Sequence, residues 1–134
     1  MKLALLGDTH FGARNDNPAF HKFFAKFYND VFFPYLEKEG IKHVIQLGDV
    51  FDRRKYVNFN TFHQARGYFF DRLNKDYESW LLVGNHDSYY KNTIEVNSVE
   101  LLLEGHHNIT PVHHVYDLHL DGIDFLLCPW WCEE

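Results

Sequence analysis

Three polar motifs constrain the fold of this chain, because each directly follows a short apolar run. The motifs are Gly7-Asp8-Thr9-His10, Gly48-Asp49-Val50-Phe51-Asp52 and Gly84-Asn85-His86-Asp87. The preceding runs have the length of buried strands, and each ends at a glycine; they cover residues 3–6, 43–47 and 80–83. In open parallel sheets, ligands bind beyond the carboxyl ends of the strands. We therefore expect one sheet edge to gather Asp, His and Asn side chains that can hold metal ions.

The segment between the first two strands is predicted to be helical. It begins at Asn17-Pro18, an N-cap followed by proline at the first helical position. Apolar side chains then recur at helical spacing, and we expect them to form a buried stripe: Phe20, Phe23, Phe24, Phe27 and Val31. Pro34 should kink or restart this helix, and Gly40 should end it.

A second helix is predicted before the third strand, because apolar residues recur at helical spacing at Phe59, Phe62, Ala65, Phe69 and Leu73. Strands that alternate with helices predict an α/β fold, a βαβαβ parallel sheet with right-handed crossovers. A short helix over Val99–Glu104 should follow, capped by Asn97. Alternating apolar residues on both sides of Asp121-Gly122 then predict a β-hairpin.

The motifs Asp-x-His, Gly-Asp-x-x-Asp and Gly-Asn-His-Asp, in this order and spacing, resemble the calcineurin-like metallophosphoesterase superfamily. Within it, residues 1–15, 48–55 and 129–134 resemble the SbcD-type repair nucleases, and bacteriophage recombination nucleases are the most similar. The resemblance implies that residues 1–134 are the N-terminal portion of a single nuclease domain. That portion would be the first part of a four-layer α/β/β/α sandwich. We expect the later histidine ligands of this family, including a Gly-His-x-His, to lie beyond Glu134.

The resemblance also implies a two-metal site. Asp8, His10 and Asp49 would hold one ion, and Asp49 together with Asn85 would hold the second. Oxygen and imidazole ligands without thiolates favour manganese, with magnesium or iron as alternatives. Without the later ligands, we expect the isolated chain to bind manganese weakly or at one site, so its activity alone is an open question.

The remaining polar residues of the motifs have supporting or catalytic roles in this hypothesis. His86 would hydrogen-bond the phosphate or protonate the leaving oxygen. Asp52 would assist catalysis by orienting the ligands, and Asp87 would orient the His86 ring or its loop. The one basic cluster could pair with DNA phosphates or be ordinary solvated charge; it consists of Arg53, Arg54 and Lys55.

The charge of the chain limits how it can bind nucleic acid. A formal net charge of -6 argues against a broad basic surface, so a DNA contact must be local or made through metal ions. The N-terminal apolar run ends at Gly7-Asp8, which is too short for a signal peptide. The sequence also lacks the run of about 18 apolar residues that a membrane span requires. We predict a cytoplasmic protein without a membrane partner.

Two other segments contain residues that could bind metal. Cys128 and Cys132 are spaced Cys-x-x-x-Cys, and the nearest further ligands are His113-His114, so we favour reduced thiols over a zinc site. The segment Gly105-His106-His107-Asn108 resembles Gly-His-x-His, but it ends in Asn and precedes the hairpin. We predict that it does not bind metal.

Three functions are compatible with the sequence. The first is an SbcD-type DNA exonuclease or endonuclease subunit for recombination and repair, working with a partner ATPase of SbcC type. The second is a small phosphatase or phosphodiesterase of the same superfamily, and the third is a non-catalytic fragment with an incomplete metal site. We also predict a homodimer with contacts on two helices, which carry Phe59, Phe62 and Phe69, and Val99, Leu102 and Leu103.

Overall fold

A four-stranded parallel sheet forms the centre of the protein, as seen in a computed structural model that describes residues 1–91 and 93–130. The strands lie in the order β1-β2-β3-β4, with β1 at Ala4–Leu6, β2 at His43–Gln46, β3 at Glu78–Leu82 and β4 at Ile109–Val112. The three strands expected from the motifs are confirmed. Cys132 lies outside the described residues.

The fourth strand was not predicted, because Pro111 lies within it. Proline cannot donate a hydrogen bond to a neighbouring strand, and it is therefore rare in the middle of sheets. β4 pairs with β3 and ends the strand order of this sheet, with Pro111 opposite Leu81. An edge strand tolerates a proline whose nitrogen faces away from the sheet.

The predicted hairpin is confirmed, with β5 at Tyr116–Leu120 and β6 at Ile123–Leu127. Asp121 and Gly122 form the turn, and both adopt positive φ, as two-residue hairpin turns require. The hairpin covers one face of the parallel sheet, where Leu118 packs in a buried cluster with Ile45 and Trp80. This second, two-stranded layer agrees with a metallophosphoesterase fold.

The helices cover the opposite face of the sheet. The first helical stretch consists of α1 (Pro18–Phe27), a π-helical turn at Tyr28–Phe32 and α2 (Phe33–Lys38). The second consists of α3 (Phe59–Ala65), a π-helical turn at Arg66–Phe70 and α4 (Asp71–Asp76). A short α5 follows at Ser98–Leu102. Asn17 caps α1 as predicted, and Pro34 lies in the first turn of the restarted helix α2.

The buried stripe predicted for α1 is confirmed only in part, at Phe24, which packs against the core. Phe23 is 72% exposed, and Phe27 and Val31 are exposed as well. The helix instead turns His21 and Tyr28 toward the core, seven residues apart and thus on one face. There the aromatic core is dense, and the ring of Phe11 alone lies within 6.3 Å of six other aromatic rings.

Within residues 1–91 and 93–130, none of the helices is long and apolar enough to cross a membrane.

Candidate metal centre

The loops after β1 and β2 run side by side beyond the ends of the strands. The backbone N–H of His10 donates to the carbonyl of Asp49 at 3.0 Å, and Phe11 donates to Val50 at 2.9 Å. Asp52 returns a bond to the carbonyl of Phe11 at 3.0 Å. These bonds prolong the parallel pairing of the strands. They bring the side chains of the first and second motifs to one place, as the sequence predicted.

Six residues other than glycine that follow β1 and β2 adopt the left-handed backbone conformation. Their φ angles include 47° at Asp8, 44° at His10 and 52° at Asp49, and the other three are Arg14, Asn15 and Asp16. Residues other than glycine in this region cost on the order of 1–3 kcal/mol each, and such residues cluster at functional sites. Three of the six are the predicted ligands of the first metal ion.

The side chains form two overlapping groups of potential metal ligands. Asp8, His10 and Asp49 each offer one donor atom, and these atoms lie within 4.8 Å of one another. His10, Asp52 and His86 form a second group with the same limit. Carboxylate oxygens and imidazole nitrogens are suitable ligands for manganese, magnesium or iron, so the donor set fits a divalent cation.

The third motif approaches the second so closely that only glycine fits. A Cβ atom on Gly84 would lie 2.1 Å from the backbone nitrogen of Asp49 and 2.4 Å from its Oδ1. Gly48, at φ +104°, faces Gly84 from the other side. The contact lets the backbone N–H of His86 donate to Oδ1 of Asp49 at 2.8 Å. The carboxylate of Asp49 is thereby held in place by the third loop.

The ring of His86 is oriented by a backbone carbonyl. Its Nδ1 lies 2.6 Å from the carbonyl oxygen of Asp52, which can only accept a hydrogen bond. Nδ1 therefore carries the proton of the neutral ring, and Nε2 can donate only when the ring is an imidazolium. The ring meets that of His10 edge-on, with centroids 5.0 Å apart. The Asp52 carboxylate lies 3.2 Å from Nδ1 of His10.

The Asp87 side chain joins the second loop to the third. Its carboxylate is fully buried and accepts backbone N–H bonds from Gly84 at 2.8 Å, Phe51 at 2.9 Å and Val50 at 3.2 Å. Asp87 thus fixes the loops, while the His86 ring is held by the Asp52 carbonyl. Burial raises the pKa of the Asp87 carboxyl to about 6, against the lowering effect of the three N–H donors.

Gln46 and Thr9 support the site and were missed by the sequence interpretation. Gln46 is fully buried, donates to the carbonyl of Gly48 at 2.8 Å and accepts from its N–H at 2.7 Å. The hydroxyl of Thr9 donates to the carbonyl of Val50 at 2.9 Å. The available signal was a glutamine inside an apolar strand, because a buried amide needs partners.

The basic cluster after the second motif does not form one surface. Arg53 pairs with Asp16 at 2.8 Å and is largely withdrawn from solvent. Arg54 donates to the amide oxygen of Asn85, the atom predicted to bind the second ion. Lys55 is exposed. Of the three, Arg53 has a clear structural role, and Arg54 lies within the metal centre.

The geometry agrees with a sequence comparison, in which the profile of calcineurin-like phosphoesterases matches residues 1–132. The chain belongs to the calcineurin-like phosphoesterase family. The exonuclease subunit 1 of Enterobacteria phage T4 is 32% identical over 134 residues, which are 100% of this chain and 39% of that protein. A protein of Invertebrate iridescent virus 3 called Putative phosphoesterase 078R is 26% identical over 133 residues, 97% of this chain and 36% of that protein.

The segment Gly105-His106-His107-Asn108, which we predicted not to bind metal, lies away from the metal centre. Nε2 of His106 lies 3.3 Å from the carboxylate of Asp71 on α4. Within the part of the chain that the structure describes, His106 joins neither group of metal-ligand candidates. Cys128 is exposed and forms no disulfide with any residue that the structure describes. The prediction for its neighbour Cys132 falls outside the described residues.

Proposed function

We propose that this phosphoesterase is a metal-dependent DNA nuclease subunit of SbcD type, acting in recombination and repair. The observation that carries the proposal is the ligand group Asp8-His10-Asp49, whose donor atoms lie within 4.8 Å of one another, with Asp52 and His86 grouped around the same His10. Similarity to a phage exonuclease subunit supports DNA as the substrate. The chain spans 39% of that relative, so the activity of the whole protein is part of the proposal.

Four residues are assigned to the metal ions. Asp8, His10 and Asp49 hold one ion, and Asp49 with Asn85 holds the other. We favour manganese, with magnesium or iron as alternatives. When bound, the ions supply Lewis-acid stabilisation of charge on the phosphoryl oxygens. The amide oxygen of Asn85, which would hold the ion, accepts a hydrogen bond from Arg54, so an ion there would leave the guanidinium available to a substrate phosphate.

His86 and Asp52 act on the substrate side of the site. As an imidazolium, His86 keeps Nδ1 on the Asp52 carbonyl and donates the Nε2 proton to the leaving oxygen. The Asp52 carboxylate, near Nδ1 of His10, orients that ring for its ion. Arg54 and Lys55 contact phosphates that flank the scissile one, while Arg53 remains paired with Asp16.

Asp49→Asn is the variant that tests the proposed function. Asparagine keeps an oxygen for the His86 N–H but removes the charge, so manganese-dependent cleavage of a DNA oligonucleotide should fall by more than the ~10–100-fold typical for supporting groups. Asp117→Asn, on the exposed hairpin, is the matched control and should cleave normally. Undiminished cleavage by Asp49→Asn would contradict the proposal.

A small phosphatase or phosphodiesterase is the second candidate, favoured by the similarity to the iridescent virus protein. The two enzymes differ in which ester they prefer. Comparing rates on an oligonucleotide and on a nucleotide monoester with manganese separates them. A non-catalytic fragment would hydrolyse neither substrate.

The proposed partners are DNA, an ATPase of SbcC type and a second copy of the chain, in the cytoplasm. The named relative is a subunit, which supports an assembly. The predicted dimer faces need correction, because Phe69, Val99 and Leu103 are fully buried in the core of the protein itself. Exposed apolar side chains near the predicted faces instead line a groove of about 410 Å³ between α3 and α5.

We predict that the apolar part of this groove, at Phe59 and Leu101, mediates dimerisation. Phe59 is 93% exposed and Leu101 is 65% exposed, and both line the groove. Burying such side chains in an interface is favourable, so Leu101→Asp should shift the protein from dimer to a 16.0 kDa monomer. Sedimentation equilibrium at micromolar concentration measures the change. Val31→Asp, at an exposed apolar site on the Tyr28–Phe32 turn, should stay dimeric; monomeric wild type would refute the prediction.

A further inference from the structure

A basic and aromatic cleft lies beside the metal centre. Its volume is about 420 Å³, and its walls are Arg54, Lys55, Tyr89, Tyr90 and Lys91. The chain as a whole carries a net charge of -6, so a cleft with three cationic side chains differs in charge from the rest of the protein. A positive groove with aromatic side chains is the combination that binds single-stranded nucleic acid.

The tyrosines offer a surface for stacking. Tyr90 is 51% exposed, and its ring stands at 77° to that of Tyr89 with centroids 4.8 Å apart. The ammonium of Lys55 lies 5.9 Å from the Tyr89 ring centroid, so Tyr89 has a cation on one side. The Tyr90 ring is the one left with a large exposed area for a nucleobase.

The cleft is tied to the third metal motif by short contacts. The hydroxyl of Ser88 donates to the carbonyl of Gly84 at 3.2 Å, and Ser98 donates to the carbonyl of Asp87 at 3.3 Å. The backbone N–H of Tyr89 donates to Val96 at 2.9 Å. Since the Asp87 carboxylate also accepts from Val50 and Phe51 of the second motif, the tyrosines are held in place relative to the Asp49 loop.

We propose that this cleft binds single-stranded DNA next to the metal centre. A base stacks on Tyr90, while Lys91 and Lys55 contact the phosphates that follow toward the site. Bases of a duplex already stack on each other and leave no face for a tyrosine, and an acidic peptide would use the cations alone. The assignment rests on the proposed nuclease function and names the form of DNA that the site receives.

Binding without metal tests the cleft separately from hydrolysis. Fluorescence anisotropy in EDTA would compare a labelled oligothymidine with an abasic oligonucleotide of the same length, using the full 134-residue chain. Tyr90→Ala should weaken oligothymidine binding by about ten-fold, whereas Tyr90→Phe, which keeps the ring, should bind like wild type. The abasic strand should bind weakly to all three proteins.

Two further variants complete the experiment. Tyr35→Ala removes a tyrosine that is 57% exposed on α2, away from the cleft, and should leave binding unchanged. Lys91→Ala should reduce the slope of log affinity against log salt by about 0.7, as expected for one lost phosphate contact.

Equal binding by Tyr90→Ala and Tyr90→Phe would overturn the stacking role, and so would equal affinity for the abasic strand. Hydrolysis of a small phosphodiester with manganese is measured in parallel. If that hydrolysis is absent while the binding pattern holds, nuclease activity of this 134-residue chain is refuted and the cleft stands. If hydrolysis is present and the binding pattern is absent, the cleft assignment alone is wrong.

Discussion

Asp87→Ala is expected to lower the free energy of unfolding by at least about 3 kcal/mol. The carboxylate accepts three backbone N–H bonds from two different loops and is 0% exposed. Alanine would leave these buried donors without a partner, each costing about 1–3 kcal/mol. The urea dependence of tryptophan fluorescence, recorded in EDTA, measures the change.

Two variants make the result specific to the hydrogen bonds. Asp76→Ala removes an exposed carboxylate at the end of α4 and should change stability little. Asp87→Asn keeps the volume and one acceptor oxygen, so its stability should lie between those of wild type and Asp87→Ala. If Asp87→Ala unfolds at the same urea concentration as wild type, the role of Asp87 as the anchor of the loops is wrong.

The stability difference should also depend on pH, because burial raises the pKa of Asp87 to about 6 from 3.8. The folded state binds this proton more tightly than the unfolded state. The resulting contribution is fully present below pH about 4 and is lost as pH rises through about 6, a change of at most about 3 kcal/mol. Wild type should therefore exceed Asp87→Ala by more at pH about 4 than at pH about 8.

The sequence predicted the parts of the fold that depend on local pattern. Apolar runs ending at glycine located β1, β2 and β3, and the alternation around Asp121-Gly122 located the hairpin. The buried face of α1 could not be predicted, because phenylalanine occurs on both sides of the helix. Packing against the sheet determines which side is buried. The sequence did not predict β4, because it contains Pro111 and a strand tolerates proline only at an edge of the sheet.

Some features of the site also follow from local sequence pattern, and others depend on tertiary contacts. Parallel strands bring their carboxyl ends together, so the gathering of Asp8, His10 and Asp49 follows from the motifs. Whether Arg53 faces solvent or pairs within the protein depends on the position of Asp16. The hydrogen bonds of Asp87 likewise depend on the close approach of Gly84 to the Asp49 loop. Both are tertiary contacts between segments more than 30 residues apart, for which a single sequence contains no spacing rule.

His86→Asn is expected to lower the rate of DNA cleavage by about 10²–10⁴-fold, the usual contribution of a general acid. The asparagine amide can replace Nδ1–H in the bond to the Asp52 carbonyl, so the loop should keep its structure. What the variant loses is Nε2, the atom assigned to the leaving oxygen. Single-turnover cleavage of a labelled oligonucleotide with manganese measures the rate.

The leaving group of the substrate distinguishes this role from a structural one. A substrate with a good leaving group, such as a p-nitrophenyl phosphodiester, needs little protonation and should be cleaved by the variant nearly as fast as by wild type. Manganese affinity and thermal stability should change little, since the backbone N–H that holds Asp49 is retained. An equal loss on both substrates, or an unfolded variant, would count against general-acid catalysis by His86.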